Sequence, residues 1–232
     1  LGFVGDLDRT MLLPTAVGVA RPTTLAPASM AAGDLQAGAR YLIVGFRALK
    51  DLHPALVADN LSRADVPGGA VAASSVILDA TPRPGQADIS ATVFARAMET
   101  PAFRRAVADE LRPALEPGTI VGLPAVLGLT DAHEAWRDLQ ERLDAPVFEI
   151  PITPPSLPGA RIAAALTDRL RGARARIVMG AQVHGVASGR DGVTAVIASS
   201  AGRDRAYTAR SVVFAPGGFE SGAITLDSFG VV

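Results

Sequence analysis

Two stretches of this 232-residue chain combine residue types whose order could support chemistry. In FEIPITPPSLPGARI, residues 148–162, a strand segment enters a proline-rich loop that ends with Ser156, Gly159 and Arg161 at the start of a helical pattern. Proline fixes the backbone and stiffens a wall, and the free N–H groups of a helix start attract anions. Ser156 and Arg161 are therefore candidate ligands for a phosphate or carboxylate group. A plain strand-to-helix connection, with Arg161 a solvated first-turn residue, remains the alternative. In TARSVVFAPGGFESGAI, residues 208–224, apolar positions run into Gly217-Gly218. Ligands of open α/β sheets sit beyond the carboxyl ends of strands, and glycine admits close backbone approach. Ala215, Gly217 and Gly218 are thus candidate cofactor contacts, although an ordinary core strand and turn would read the same way.

Other chemistries lack their residues. There is no cysteine, so disulfides, thiolate nucleophiles and cysteine-held metal clusters are excluded from this chain. His53, His133 and His184 lie far apart without metal-ligand spacing, and no G-x-S-x-G elbow occurs. Neither G-x-G-x-x-G nor a P-loop is present, so a self-sufficient dinucleotide fold is not encoded. The formal charge of −1 gives no electrostatic reason to expect nucleic acid as a partner. The longest apolar run, residues 119–129, is interrupted by Pro124 and falls well short of the roughly 20 residues of a membrane-spanning helix.

The elements that must position these stretches follow from periodicity. Residues 1–40 read as short strands and connections broken by Pro14, Pro22 and Pro27. From residue 41, strand candidates YLIVGF, AVAASSVILDA, TIVGLP and PVFEIP alternate with helical patterns. Leu56, Val57, Leu61 and Ala64 share one helical face; Ile89, Val93, Phe94 and Ala97 belong to another helix; Phe103, Val107 and Leu111 to a third; and Trp136, Leu139 and Leu143 share a face of a fourth. Alternation at this spacing requires crossover connections and a largely parallel sheet over residues 41–150. A helix over ARIAAALTDRLRGA and a short strand in ARIVMG follow. QVHGVAS, VTAVIAS, RAYTA and SVVFA then predict a β-meander ending in a strand at 211–214.

The meander followed by VVFAPGG resembles the segment, usually Ala-Thr-Gly-Gly, of flavoproteins with two dinucleotide-binding domains, including the fumarate reductase and succinate dehydrogenase flavoprotein group. More narrowly, YLIVGFRALKDLHPALVADNL, LPAVLGL, PITPPSLPGAR and VVFAPGGFESGAI are similar to the B-subunit family of anaerobic glycerol-3-phosphate dehydrogenase, from about residue 11 onward. The proline loop is the most specific part of that match. Ala215-Pro216-Gly217-Gly218 departs from the usual motif, because Pro216 removes a hydroxyl and a backbone N–H together.

The resemblance implies an α/β chain forming part of a Rossmann-like flavin-binding domain with a β-meander, plus an inserted small α/β cap domain. Residues 1–40 would be partial flavin-domain and connection strands, 41–150 the cap, and 151–232 a further flavin-domain portion. It implies a flavin cofactor, FAD or FMN, with Val183 contributing backbone contacts to the adenosine side. The implied reaction oxidises sn-glycerol 3-phosphate to dihydroxyacetone phosphate. Electrons would pass to a membrane-associated iron–sulfur subunit in a complex that also holds a catalytic A-subunit, bound at the inner face of the cell membrane through a partner. A general FAD-dependent dehydrogenase or reductase of a small organic acid, and a non-catalytic scaffold protein, are the rival classes. The chain reads as the central portion of such a B-subunit, expected to be colourless alone.

Overall fold

The computed structural model of the chain describes residues 2–217, 226–227 and 230–231. Two compact units divide between Gly172 and Ala173. The boundaries expected at 40/41 and 150/151 therefore lie inside the first unit.

That unit begins with strands β1 (Phe3–Gly5), β2 (Met11–Pro14), β3 (Ala20–Thr23) and β4 (Leu25–Pro27), then the single-turn helix α1 (Ala28–Ala31). β1 pairs antiparallel with β4, and β2 with β3. The regular part follows: β5 (Arg40–Phe46), α2 (Pro54–Leu61), β6 (Ala72–Leu78), α3 (Ala91–Met98), α4 (Pro101–Leu111) with a 3-10 turn at Arg112–Ala114, β7 (Thr119–Pro124), α5 (Ala132–Leu143), β8 (Val147–Ile150) and α6 (Leu157–Gly172). The four strands β5 to β8 form the parallel sheet that alternation predicts, in the order β6-β5-β7-β8.

Both faces of this sheet are covered, which is why its strands read as continuous apolar runs rather than alternating ones. Leu42, Val44, Val121, Leu123 and Val147 face a core with Phe94 and Met98 of α3, Val107 and Leu111 of α4, and Leu139 of α5. Tyr41, Ile43, Phe148 and Ile150 face the other core with Val57 and Leu61 of α2. In α2 the buried positions are Pro54, Val57, Ala58 and Leu61; Leu56 points to solvent, because the helix is rotated by one position from the face its sequence suggests. Residues before β5 are tied to the same unit: Leu12 N donates to Asp34 Oδ1 at 2.8 Å and Leu35 N to the Leu12 carbonyl at 2.9 Å. Arg104, buried in α4, donates to the Met98 carbonyl and pairs with Asp138 of α5, which also accepts from Arg142.

The second unit contains β9 (Ala181–Gly189), β10 (Gly192–Ser200) and β11 (Arg203–Thr208), an antiparallel meander in the order β11-β10-β9, and the short pair β12 (Leu226–Asp227) and β13 (Gly230–Val231). Two expected strands are absent among the described residues. Residues 175–178 of ARIVMG are irregular, and residues 211–217 are not in a strand, with Val213 90% and Phe214 77% exposed. A strand exists only against a neighbour's backbone, and no strand among the described residues pairs with either segment.

The Phe148 ring shows how tightly the first unit is built. It is fully buried, meets Tyr41 edge-on at 6.1 Å, and fills the space that Cβ atoms on Gly33 and Gly122 would occupy, 2.3 and 2.5 Å from its carbons. Gly122→Ala forces this ring against a neighbour that cannot yield. We expect a loss of about 1–3 kcal/mol of stability, read from urea unfolding followed by the fluorescence of Trp136, the only tryptophan.

Candidate functional site

The carboxyl ends of β5 to β8 are where an α/β sheet of this kind would take a ligand. Counted from β5, the strand order is 2-1-3-4, which puts the topological switch point between β5 and β7. That crevice is closed by the chain itself, since Leu49 after β5 and Val126 and Leu127 after β7 are buried in one apolar cluster. Gly45, alone in its strand, is equally committed: a Cβ there would lie 2.7 Å from Pro54, so the missing side chain makes room for α2 and not for a phosphate.

Beside the crevice, Glu149 of β8 and Arg161 of α6 form an ion pair with both side chains almost fully buried. Arg161 Nη1 and Nη2 donate to Glu149 Oε2 and Oε1 at 2.7 and 2.9 Å, and Nε donates to the Gly128 carbonyl at 2.8 Å. Glu149 accepts two further hydrogen bonds, from Ser29 Oγ at 2.8 Å and from Leu127 N at 2.9 Å. A bidentate guanidinium and two more donors use the carboxylate's capacity. The small cavity beside Arg161, about 30 Å³, has room for about one water and none for a phosphate.

This corrects the expectation for Arg161: it faces Glu149 and the protein interior, because a guanidinium inside the fold requires a carboxylate partner. Ser156 does not join it in a cavity. It is exposed, and its Oγ accepts from Gly159 N at 3.1 Å, the role of a helix cap. Glu149 is the residue that sequence reasoning missed. Its signal was a lone acid in the apolar strand VFEI, which demands a nearby cation.

Two other glutamates occupy backbone donors at strand ends. Glu99 accepts from Leu129 N at 2.8 Å and Thr130 N at 2.6 Å, ahead of α5, and Glu110 accepts from the N–H groups of Asp79 and Ala80 just after β6. Partial burial pushes the Glu99 carboxyl upward, but the N–H groups of Thr130, Leu129 and Asp131, with the Arg96 charge, outweigh it and hold the group below its ordinary value. Carboxylates of the neighbouring helices thus take positions that a bound anion would otherwise fill.

In the second unit, Val183 lies in β9 and is 57% exposed. β9 pairs with β10 on one side and with no strand on the other among the described residues, so part of its backbone edge is open. Ala215 and Gly217 lie in the irregular segment, Gly217 with φ +88°, and Gly218 lies outside the described residues.

A family model described as FAD binding domain matches residues 5–192, a span that crosses both compact units. The chain is 33% identical to a probable B-subunit of anaerobic glycerol-3-phosphate dehydrogenase from Halobacterium salinarum, over 95% of this chain and 53% of the relative. It is 28% identical to the B-subunit of anaerobic glycerol-3-phosphate dehydrogenase from Yersinia enterocolitica, over 74% of this chain and 41% of the relative. For the corresponding protein of Pectobacterium atrosepticum the figures are 27%, 97% and 53%. The chain spans about half the length of these relatives, or less. No solved structure matches it.

Two outcomes test this reading of the site. Glu149→Gln leaves Arg161 buried without its counter-charge, and we expect a loss of about 3–5 kcal/mol by urea unfolding; a change below about 1 kcal/mol would show that the pair does not hold the site. Because Glu99 titrates below its ordinary value, its contribution is present at neutral pH and is lost as pH falls through the lowered value. The stability gap between the native protein and Glu99→Gln should therefore close on acidification, as read from urea midpoints across the acid range.

Proposed function

The chain belongs to the FAD binding domain family, and on that premise we propose that it is part of a flavin-dependent oxidoreductase that oxidises sn-glycerol 3-phosphate to dihydroxyacetone phosphate. The observation that carries this reading is the similarity to the B-subunit relative of Halobacterium salinarum over 95% of the chain. FAD, when bound, supplies the two-electron acceptor that oxidation of a secondary alcohol to a ketone requires.

Two backbone features of the second unit fit parts of that cofactor. The open edge of β9 at Val183 offers N–H and C=O groups to the adenosine side, and a contact of this kind does not depend on the side chain. Gly217, with its positive φ, admits close approach of a ligand to the backbone at the end of the 211–217 segment. No glycine-rich strand-to-helix turn occurs in the sequence to cradle a pyrophosphate, and the spaces beside Gly45 and Gly122 of the parallel sheet are filled by Pro54 and Phe148. The parallel-sheet unit acts, in this reading, as a rigid cap whose buried ion pair holds the proline loop in place.

The partners that complete the assignment are a catalytic A-subunit and a membrane-associated iron–sulfur protein that takes the electrons. The complex would sit peripherally at the cytoplasmic face of the membrane through that partner. The test uses the full-length protein loaded with FAD under anaerobic conditions. Addition of sn-glycerol 3-phosphate should bleach the oxidised flavin absorbance. Bleaching by small organic acids and not by glycerol 3-phosphate would assign the other dehydrogenase class, and no bleaching by either would mark the protein as a scaffold.

A further inference from the structure

With Arg161 committed to Glu149, the anion ligand expected beside the proline loop must come from elsewhere, and a large cleft of the first unit provides one. The cleft, about 440 Å³, lies between the β2–β3 hairpin and the β4–α1 segment, and Pro151, the first residue of the proline loop, forms part of its wall. Its volume falls in the range of small-molecule sites. The lining combines an apolar floor, including Leu13 and Met30, with Arg21 and the hydroxyls of Thr23 and Thr24. No acidic side chain among the described residues lines it.

Arg21 differs from the two buried arginines of this unit. Arg104 and Arg161 are each held by a carboxylate, whereas Arg21 is exposed at the cleft and makes no ion pair among the described residues. Its backbone position is defined by pairing opposite Leu13 in the hairpin. Gly5, whose absent side chain lets the Thr24 carbonyl approach where a Cβ would lie, fixes the turn between β3 and β4 and so the place of Thr24. The Thr24 hydroxyl has no partner among the described residues, and Thr23 Oγ1 is engaged locally with the Arg21 carbonyl at 3.2 Å.

We propose that this cleft binds the phosphate group of a small phosphorylated ligand, with Arg21 as the charge partner, Thr24 as a hydroxyl donor and the apolar floor receiving the carbon skeleton. A planar guanidinium with unused donors suits a phosphate's paired oxygens, and Arg21 is the charged side chain of the lining, with no carboxylate there to compete for it. The identity of the ligand as sn-glycerol 3-phosphate rests on the proposed function; the site itself does not.

The experiment measures binding of two probes, inorganic phosphate and sn-glycerol 3-phosphate, to the FAD-loaded full-length protein by calorimetry, for the native protein and for Arg21→Gln, Arg21→Lys, Thr24→Ala and Arg9→Gln. Arg9→Gln controls for the loss of one positive charge on the same segment outside the cleft. Arg21→Gln should weaken both probes by about tenfold or more, Thr24→Ala by less, and Arg21→Lys should retain part of the affinity, with flavin content and unfolding midpoint unchanged. Equal affinity in Arg21→Gln and the native protein would overturn the site while leaving the proposed substrate intact. Native binding of phosphate but not of glycerol 3-phosphate, still dependent on Arg21, would keep the site and overturn that substrate. Loss of flavin from Arg21→Gln would reassign the cleft to the cofactor's own phosphates and overturn the proposal, as would an equal loss of affinity in Arg9→Gln or failure of both probes to bind.

Discussion

The buried pair of Glu149 and Arg161 sets the terms for the rest of the first unit. Removing two charges from water costs several kcal/mol per ion, and the cost is offset only where geometry is good and every remaining donor and acceptor is used. Here the carboxylate receives four hydrogen bonds, and those bonds join four places in the chain: β8 itself, Ser29 of α1, the loop after β7 and the beginning of α6. Segments separated by 120 residues are thereby held to one point at the carboxyl edge of the sheet. The pair ties the end of β8 to the first turn of the helix that follows the proline loop.

The same edge shows why an open α/β sheet need not bind a nucleotide. Backbone N–H groups left at strand ends and ahead of helices require acceptors, and they can obtain them from a ligand or from the protein. In this chain Glu99, Glu110 and Glu149 supply them internally, while Leu49, Val126 and Leu127 fill the switch-point crevice. Glycines that would mark a ligand's approach in another fold instead admit Pro54 and Phe148. The result is a well-packed body with few unmet polar groups. The larger cleft lies at its periphery, between the β2–β3 hairpin and the β4–α1 segment.

The meander of the second unit carries a different kind of capacity. An edge strand exposes backbone groups whose hydrogen-bonding direction is independent of side chain, and β9 is such a strand among the described residues. The bulges between β9 and β10, at Val193/Ala195 and Ile197/Ala198, alter the local twist of that edge. The family match takes in residues of both units.

Local pattern alone determined much of this protein. Alternating apolar runs and helical faces predicted the parallel sheet over 41–150 and the meander after it, because burial on both faces of a crossover-connected sheet leaves a composition that only such a sheet requires. The resemblance of the proline loop and VVFAPGG, carried by residue order, pointed to a flavoprotein. The tertiary structure decided what local pattern cannot encode. Arg161 reads as a helix-start anion ligand until Glu149 is placed beside it, and the pairing of residues twelve apart across a loop is a fact of three-dimensional distance. SVVFA has the composition of a strand, yet a strand is defined by its neighbour, and none pairs with it among the described residues. Arg21 lies in an ordinary proline-flanked segment, and only the folding of the β2–β3 hairpin beside the β4–α1 segment and Pro151 places it in the wall of a cleft. Composition and periodicity specify which surfaces must be buried; which charges then meet depends on the path of the whole chain.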